Sequence, residues 1–351
     1  MQNNNLINQI ILGDSLEVLS KIKDNSIDVV LTDPPYFLDK MDNNWKYENV
    51  ENKKNQQTIK SLPAGMKFDR KQGQDFYKWY LTISEQIFRV LKPGGFFFSF
   101  SSPRLYHRMA SAVDDAGLEI RDCFLWLYTQ NQAKAMSVNH FIDKMNISKE
   151  EKEKIKEKFD GWKTPQLKSC FEPIVMSQKP SDGTYLSNML KNDIGLMNTN
   201  IRVGDNMFPS NVLTVENINE IIDKSFLIGK PTKKERGDFN NHKTVKPVEI
   251  CEHIIKLTAF FENAVILDPF VGSGTTAVAA KKLGLNYIGI DANPEYVAIS
   301  EKRLKELDKK IDSFDNAKQE KTADIKLQSR LQFMSLVEWH KLKKNIKDYL
   351  I

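Results

Sequence analysis

Residues 264–284 read AVILDPFVGSGTTAVAAKKLG: an apolar run ending at Asp268, a loop with Gly272 and Gly274, and a helical run from about Thr275 closed by Gly284. Glycine lets backbone approach a ligand closely, and the N–H groups opening a helix favour negative charge. Nineteen residues after Gly272 the next apolar run, NYIGID, ends at Asp291. An acid at the tip of a second strand is placed to accept from ribose hydroxyls. A tight turn and a surface aspartate would explain two glycines alone, but strand, helix and spaced acid together favour nucleoside binding. The loop is not the GxxxxGK of a nucleoside triphosphate site, and Ala277 stands where GxGxxG has its third glycine. A nucleoside carrying a carboxylate instead of phosphates remains open.

Outward from this loop the alternation continues. PVEICEHIIKLTAF precedes it as a helix, and NPEYVAISEKRLKELDKKI follows NYIGID as another. Residues 1–37 and 74–130 show the same rhythm. IDVVLTD is a short buried strand. DFYKWYLTISEQIFRVLKPGG places Phe76, Tyr80, Ile83, Ile87 and Leu91 at helical spacing and predicts a helix ending at Gly94 and Gly95. FFFSFS is a strand, and SPRLYHRMASAVDDAG predicts a helix with Ser102 as N-cap, Pro103 at its first position and Gly117 at its end. Such alternation indicates an α/β fold, a doubly wound, mostly parallel sheet that both blocks share. The expected organisation is one catalytic and cofactor-binding domain from residues 1–130 and 246–308, an insertion at 131–245, and a charged helical extension at 309–351. Within the insertion, Ser148 and Glu151 predict a capping box. Residues 38–73 read as a polar loop.

The stretch LTDPPYF, residues 31–37, leaves its strand through an acid, two prolines and two aromatics. Each proline fixes φ near −65° and lacks an N–H, and the first pushes Asp33 into extended geometry. The result is a rigid platform carrying one carboxylate, one carbonyl and an aromatic face.

DPPY together with DPFVGSGTT resembles the S-adenosylmethionine-dependent amino-methyltransferases of DNA, which methylate the exocyclic nitrogen of adenine or cytosine. The resemblance covers roughly residues 8–130 and 240–305 and has the motif order of the family's beta group. It implies a seven-stranded Rossmann-like sheet, with target recognition in the middle segment. It also implies that Asp33 and the Pro34 carbonyl accept from the two N–H bonds of the target amine, that Pro35 stiffens the turn, and that Tyr36 stacks on a flipped base. Asp33, where cytosine-N4 members more often have Ser, points to adenine N6. A catalytically inactive DNA-binding subunit is the alternative of a different class. For S-adenosylmethionine, the resemblance adds Asp268, Phe270, Thr244 and Lys246 to Gly272, Gly274 and Asp291. The last two of the added four lie in NHKTVKP, near the cofactor's methionyl carboxylate. Asp14 matches a family acid near the adenine, while its spacing to Glu17 equally fits a helix cap. Glu172, in the segment FEPIVM, reads as structural.

The chain has 351 residues and a formal net charge of +5, which permits a polyanionic partner without requiring one. Lys67, Arg70, Lys71, Lys233 and Lys234, with Lys53, Lys54 and Arg236 nearby, are candidates for meeting the phosphates of double-stranded DNA, or simply solvated loop residues. Three widely spaced cysteines suggest neither disulfides nor zinc and fit a reducing cytoplasm. No run reaches membrane-spanning length, and MQNNNLINQI lacks the pattern of a signal peptide. The proposed chemistry needs no metal. A homodimer and a cognate restriction enzyme are further partners that the resemblance admits.

Overall fold

The computed structural model describes residues 6–36, 70–127, 135–164, 169–201, 209–213, 231, 236, 239–240, 245–259 and 261–318. The strands are β1 (Gln9–Leu12), β2 (Ile27–Thr32), β3 (Leu91–Phe100), β4 (Glu119–Leu127), β5 (Phe171–Gln178), β6 (Val212–Leu213), β7 (Val265–Asp268) and β8 (Asn286–Asp291). The helices are α1 (Ser15–Leu19), α2 (Arg70–Val90), α3 (Tyr106–Asp115), α4 (Asn139–Ile142), α5 (Lys149–Lys158), α6 (Tyr185–Asn192), α7 (Val248–Thr258), α8 (Thr275–Lys282) and α9 (Pro294–Lys318).

One sheet runs in the order β1-β8-β7-β2-β3-β5-β4-β6. Only β5 is reversed: it pairs antiparallel with β3 and β4, and every other pairing is parallel. The expected seven-stranded sheet is therefore present, with the two-residue β6 added beside β4. The central strand β2 is buried on both faces, which is why IDVVLT reads as an unbroken run rather than an alternation. Val29 and Leu31 face α7 and α8, while Ile27 and Val30 face α1, α2 and α3. Among the described residues no helix is long and apolar enough to cross a membrane.

Three expectations need correction. Strand β5 comes from inside the segment 131–245, so that segment is not set apart as a whole; residues 171–178 complete the sheet. Leu91 belongs to β3 rather than to α2, because Ile27 pairs with Leu91 and Val29 with Phe96, leaving KPGG as a bulge inside the strand pairing. Gly94 has φ of 79°, and a Cβ there would sit 2.3 Å from Asn188 Nδ2. Ser102 does not cap α3. Its carbonyl accepts from Leu105 N (3.0 Å) and Tyr106 N (2.9 Å) in a turn that delays the helix to Tyr106, and its hydroxyl makes no hydrogen bond. The other end matches expectation: Gly117, at φ 93°, follows the last helical residues. The capping box of Ser148 and Glu151 is formed.

Candidate active site

Because the parallel strands point one way, their C-terminal ends share an edge. That edge gathers Asp14 after β1, Asp33 after β2, Asp268 at the end of β7 and Asp291 at the end of β8. The chain leaves β2 through α2 towards β3, and leaves β7 through α8 towards β8, in opposite directions across the sheet. The crevice between β2 and β7 is thus the switch point at which α/β sheets bind ligands. The Thr32 hydroxyl bridges it, donating to Asp268 Oδ1 (2.7 Å).

At this edge Pro34 is buried, and Asp33, Pro35 and Tyr36 are half-buried. The Tyr36 hydroxyl donates to Asp33 Oδ1 (2.8 Å), and Lys246 Nζ donates to Asp33 Oδ2. Burial first, then the neighbouring Asp33 and Glu172, push the Tyr36 phenol far above its ordinary range, so it stays a neutral donor. Lys246 also lies 3.4 Å from Glu172 Oε2 and 5.1 Å from the centre of the Phe100 ring. Burial alone would lower its pKa, but Asp33 and Glu172 outweigh it and hold the ammonium above the ordinary lysine value.

Glu172 is the residue that sequence reasoning set aside. It arrives here because β5 runs backwards, so the start of that strand meets the C-terminal ends of its neighbours: Ser101 N donates to Pro173 O (2.8 Å) and Phe100 pairs with Ile174. Only the Glu-Pro beside a strand hinted at it. Lys246, expected near a cofactor carboxylate, is bonded to Asp33.

The glycine loop forms the other half of the edge. Asp291 accepts from Gly272 N (2.9 Å) through Oδ2 and from Asn293 N (2.8 Å) through Oδ1. Asp268 is buried, and its Oδ1 also accepts from Phe270 N (3.1 Å), which makes it an anchor of the loop rather than an open contact. Burial raises its pKa to about 7 against the opposing pull of Thr32, Thr276 and the Phe270 amide. Phe270 packs against Trp79 of α2 with ring centres 5.4 Å apart, a partner that periodicity alone assigned to no role. The Ser15 hydroxyl donates to Pro269 O (2.6 Å), tying α1 to the loop. Asp14 is exposed and caps α1, its Oδ1 accepting from Leu16 N (2.9 Å) and Glu17 N (3.2 Å). Thr244, Lys67, Lys233, Lys234, Lys53 and Lys54 lie outside the described residues, and Arg70 and Lys71 open α2.

A doubly wound sheet with one reversed strand, a glycine loop beneath an acid, and a Pro-Pro platform across the switch point define a Rossmann-like methyltransferase. Residues 27–302 match the DNA methylase family of N6/N4 type, and the chain belongs to this family of S-adenosylmethionine-dependent DNA methyltransferases. It is 27% identical over 316 residues to the type II methyltransferase M.HindIII of Haemophilus influenzae, covering 85% of this chain and 96% of the relative. It is 30% identical over 302 residues to the type II methyltransferase M2.LlaDCHI of Lactococcus lactis, covering 84% and 88%. Among solved structures, PvuII DNA methyltransferase (cytosine-N4-specific) shares the fold, with a TM-score of 0.50, 18% identity and coverage of 84% of this chain and 85% of that one.

The edge fits S-adenosylmethionine. Asp291 is pinned by two backbone amides, which fixes an acceptor carboxylate at the tip of β8. On the same loop, two residues before Gly272, Phe270 packs on Trp79, and these aromatic faces suit a purine.

Proposed function

We propose that this chain methylates the N6 amine of an adenine flipped out of double-stranded DNA. The observation that carries this reading is the Asp33 carboxylate, fixed between Tyr36 and Lys246 at the end of a rigid Pro-Pro turn. An aromatic amine is a poor nucleophile because its lone pair is delocalised into the ring. Asp33 and the Pro34 carbonyl accept its two N–H bonds and draw the nitrogen towards tetrahedral geometry. Rigidity matters because a displacement of about 1 Å can cost on the order of 100-fold in rate. S-adenosylmethionine, when bound, supplies an electrophilic methyl group on a sulfonium. Asp14, Phe270, the Gly272–Gly274 loop and Asp291 hold it, and Tyr36 offers its ring to the flipped base.

Charge supports the reading. Asp33 and Glu172 together set two carboxylates against the single ammonium of Lys246. A net negative site, fixed in advance, favours positive charge developing on the amine. The exposed Phe141, Met145, Phe159 and Trp162, before and after the charged α5, support a partner-facing role for the middle segment. Lys67, Arg70, Lys71, Lys233 and Lys234 are assigned to the phosphates. A homodimer and a cognate restriction enzyme, in a cytoplasmic setting, belong to the same reading.

The test is incubation of the protein with mixed-sequence duplex DNA and methyl-labelled S-adenosylmethionine, followed by digestion to nucleosides. Label on N6-methyladenosine, absent with Asp33→Ala, is the expected result. Label on N4-methylcytosine would keep the chemistry and change the base. No label on DNA despite cofactor binding would leave a non-catalytic subunit as the better reading.

A further inference from the structure

The Asp33 carboxylate is already engaged at both oxygens: Oδ1 takes the Tyr36 hydroxyl and Oδ2 takes the Lys246 ammonium. Each oxygen keeps a second lone-pair site, but a base amine donating to Oδ2 must share that oxygen with a charged donor, and an oxygen that already holds an ammonium is a weaker acceptor. Lys246 Nζ is buried and cannot simply turn to water, because a buried ammonium needs another acceptor. One is at hand. Glu172 Oε2 is buried, makes no hydrogen bond, and lies 3.4 Å from Nζ as an ionic contact rather than a formed bond. A shift of well under 1 Å would close that distance to the roughly 2.7–2.9 Å of a charge-assisted hydrogen bond. The Phe100 ring, 5.1 Å from Nζ, stabilises the cation in either seat.

We propose that Lys246 has two seats, Asp33 in the free site and Glu172 when the target amine occupies Asp33, so that Glu172 is a positioning residue that releases the acceptor carboxylate to the substrate. This builds on the reading of Asp33 as the acceptor for the amine. No bond is made or broken in the exchange; one ammonium passes from one carboxylate to another while the base amine takes its place. Without Glu172, the ammonium stays on Asp33 and weakens that carboxylate as an acceptor for every incoming base.

A rescue experiment separates this from a merely structural role. Glu172→Ala is expected to lower kcat by about 100-fold, the order of a misplaced reacting group. Adding Lys246→Met removes the competing ammonium, and at saturating cofactor the double variant is expected to exceed Glu172→Ala by about 10-fold, within the coupling range of contacting residues. Cofactor affinity is measured separately by calorimetry, so that a loss there is not read as a loss at Asp33. If Glu172→Ala does not fold, Glu172→Gln, with and without Lys246→Met, gives the same comparison with the side-chain volume kept. A double variant no faster than its Glu172 parent, or a Glu172→Ala enzyme as fast as wild type, would overturn the two-seat mechanism. Retained methylation by Asp33→Ala would instead overturn the role of Asp33 itself, and the two failures are thereby told apart.

Discussion

Gly274→Ala tests whether a glycine in the cofactor loop serves the ligand or the fold. Gly274 opens α8 with φ of 81°, and a Cβ there would lie 2.9 Å from both Cβ and Oγ of Ser300 and 3.1 Å from its Cα. Ser300 cannot easily move away. Its hydroxyl donates to Gly272 O (2.7 Å), and one turn later Arg303 donates to Ser273 O (2.7 Å). The left-handed backbone costs an alanine about 1–2 kcal/mol. Overpacking against a fixed neighbour adds about 1–3 kcal/mol, for a total of about 2–5 kcal/mol. That is a large part of the roughly 5–15 kcal/mol that holds a typical domain folded. Urea unfolding measures it directly, and calorimetric titration with S-adenosylmethionine reports the site. Adding Ser300→Gly relieves the contacts to Cβ and Oγ but not the one to Cα, and it gives up the bond to Gly272 O and up to about 1 kcal/mol of helix propensity, so the double variant should recover only part of the packing portion. A variant within about 0.5 kcal/mol of wild type, the range of ordinary surface changes, with cofactor affinity nonetheless lost, would refute the packing account and show the glycine held open for the ligand.

Two buried groups give opposing pH dependences of stability. Asp268, raised to about 7 by burial, binds its proton in the folded chain after the unfolded chain has released it, so its contribution falls as pH rises from about 4 to 7. Asp268→Asn should therefore gain on wild type between pH 5 and pH 8 in urea midpoints, and a constant difference would contradict the assignment. His253, lowered to about 4 by burial and then by Lys256, works the other way: stability rises with pH between about 4 and 6.5, because the unfolded chain binds the proton first. His253→Leu should flatten that rise, and an unchanged slope would show that the imidazole is not its source. Asp28 accepts from Lys92 Nζ (2.6 Å) and Val265 N (2.9 Å), so Asp28→Ala should cost about 2–4 kcal/mol by leaving both donors poorly satisfied. A loss below about 1 kcal/mol in the same assay would mean that water replaces the carboxylate. Phe270→Ala should weaken S-adenosylmethionine binding by about 10-fold, on the scale of one aromatic contact, and unchanged affinity would remove Phe270 from the site.

The helix–strand rhythm of the two outer blocks was legible because a central strand such as β2 is buried throughout, while α2 and α3 bury residues three to four apart, so the pattern records burial. It failed at KPGG, where glycine and proline mark a bulge in β3 rather than a helix end. There the deciding contact is Asn188, nearly a hundred residues away. It failed again at β5, whose eight residues lie among turn-rich neighbours and carry no alternation of their own. That omission also hid Glu172, because only the reversed direction of the strand brings its start to the active edge. DPPY and the glycine loop were legible as motifs, since rigidity and close approach are written into single residue types. The pairing of Lys246 with Asp33 was not, because nothing local in either segment records the other.

The position of β1 has a consequence for how the chain is made. This strand ends the sheet, and its partner is β8, with Gln9 set against Ile288. During synthesis it must wait for nearly the whole protein, roughly 15–60 s at about 5–20 residues per second, before it finds that partner. The β2–β7 pairing, across the future switch point, waits almost as long. Nascent chains arrested near residue 260 should thus keep residues 9–12 open to proteolysis, and chains extended past β8 should not. Synthesis runs from the first residue to the last, yet the sheet joins its two ends late, so the catalytic edge forms only once the C-terminal strands have emerged.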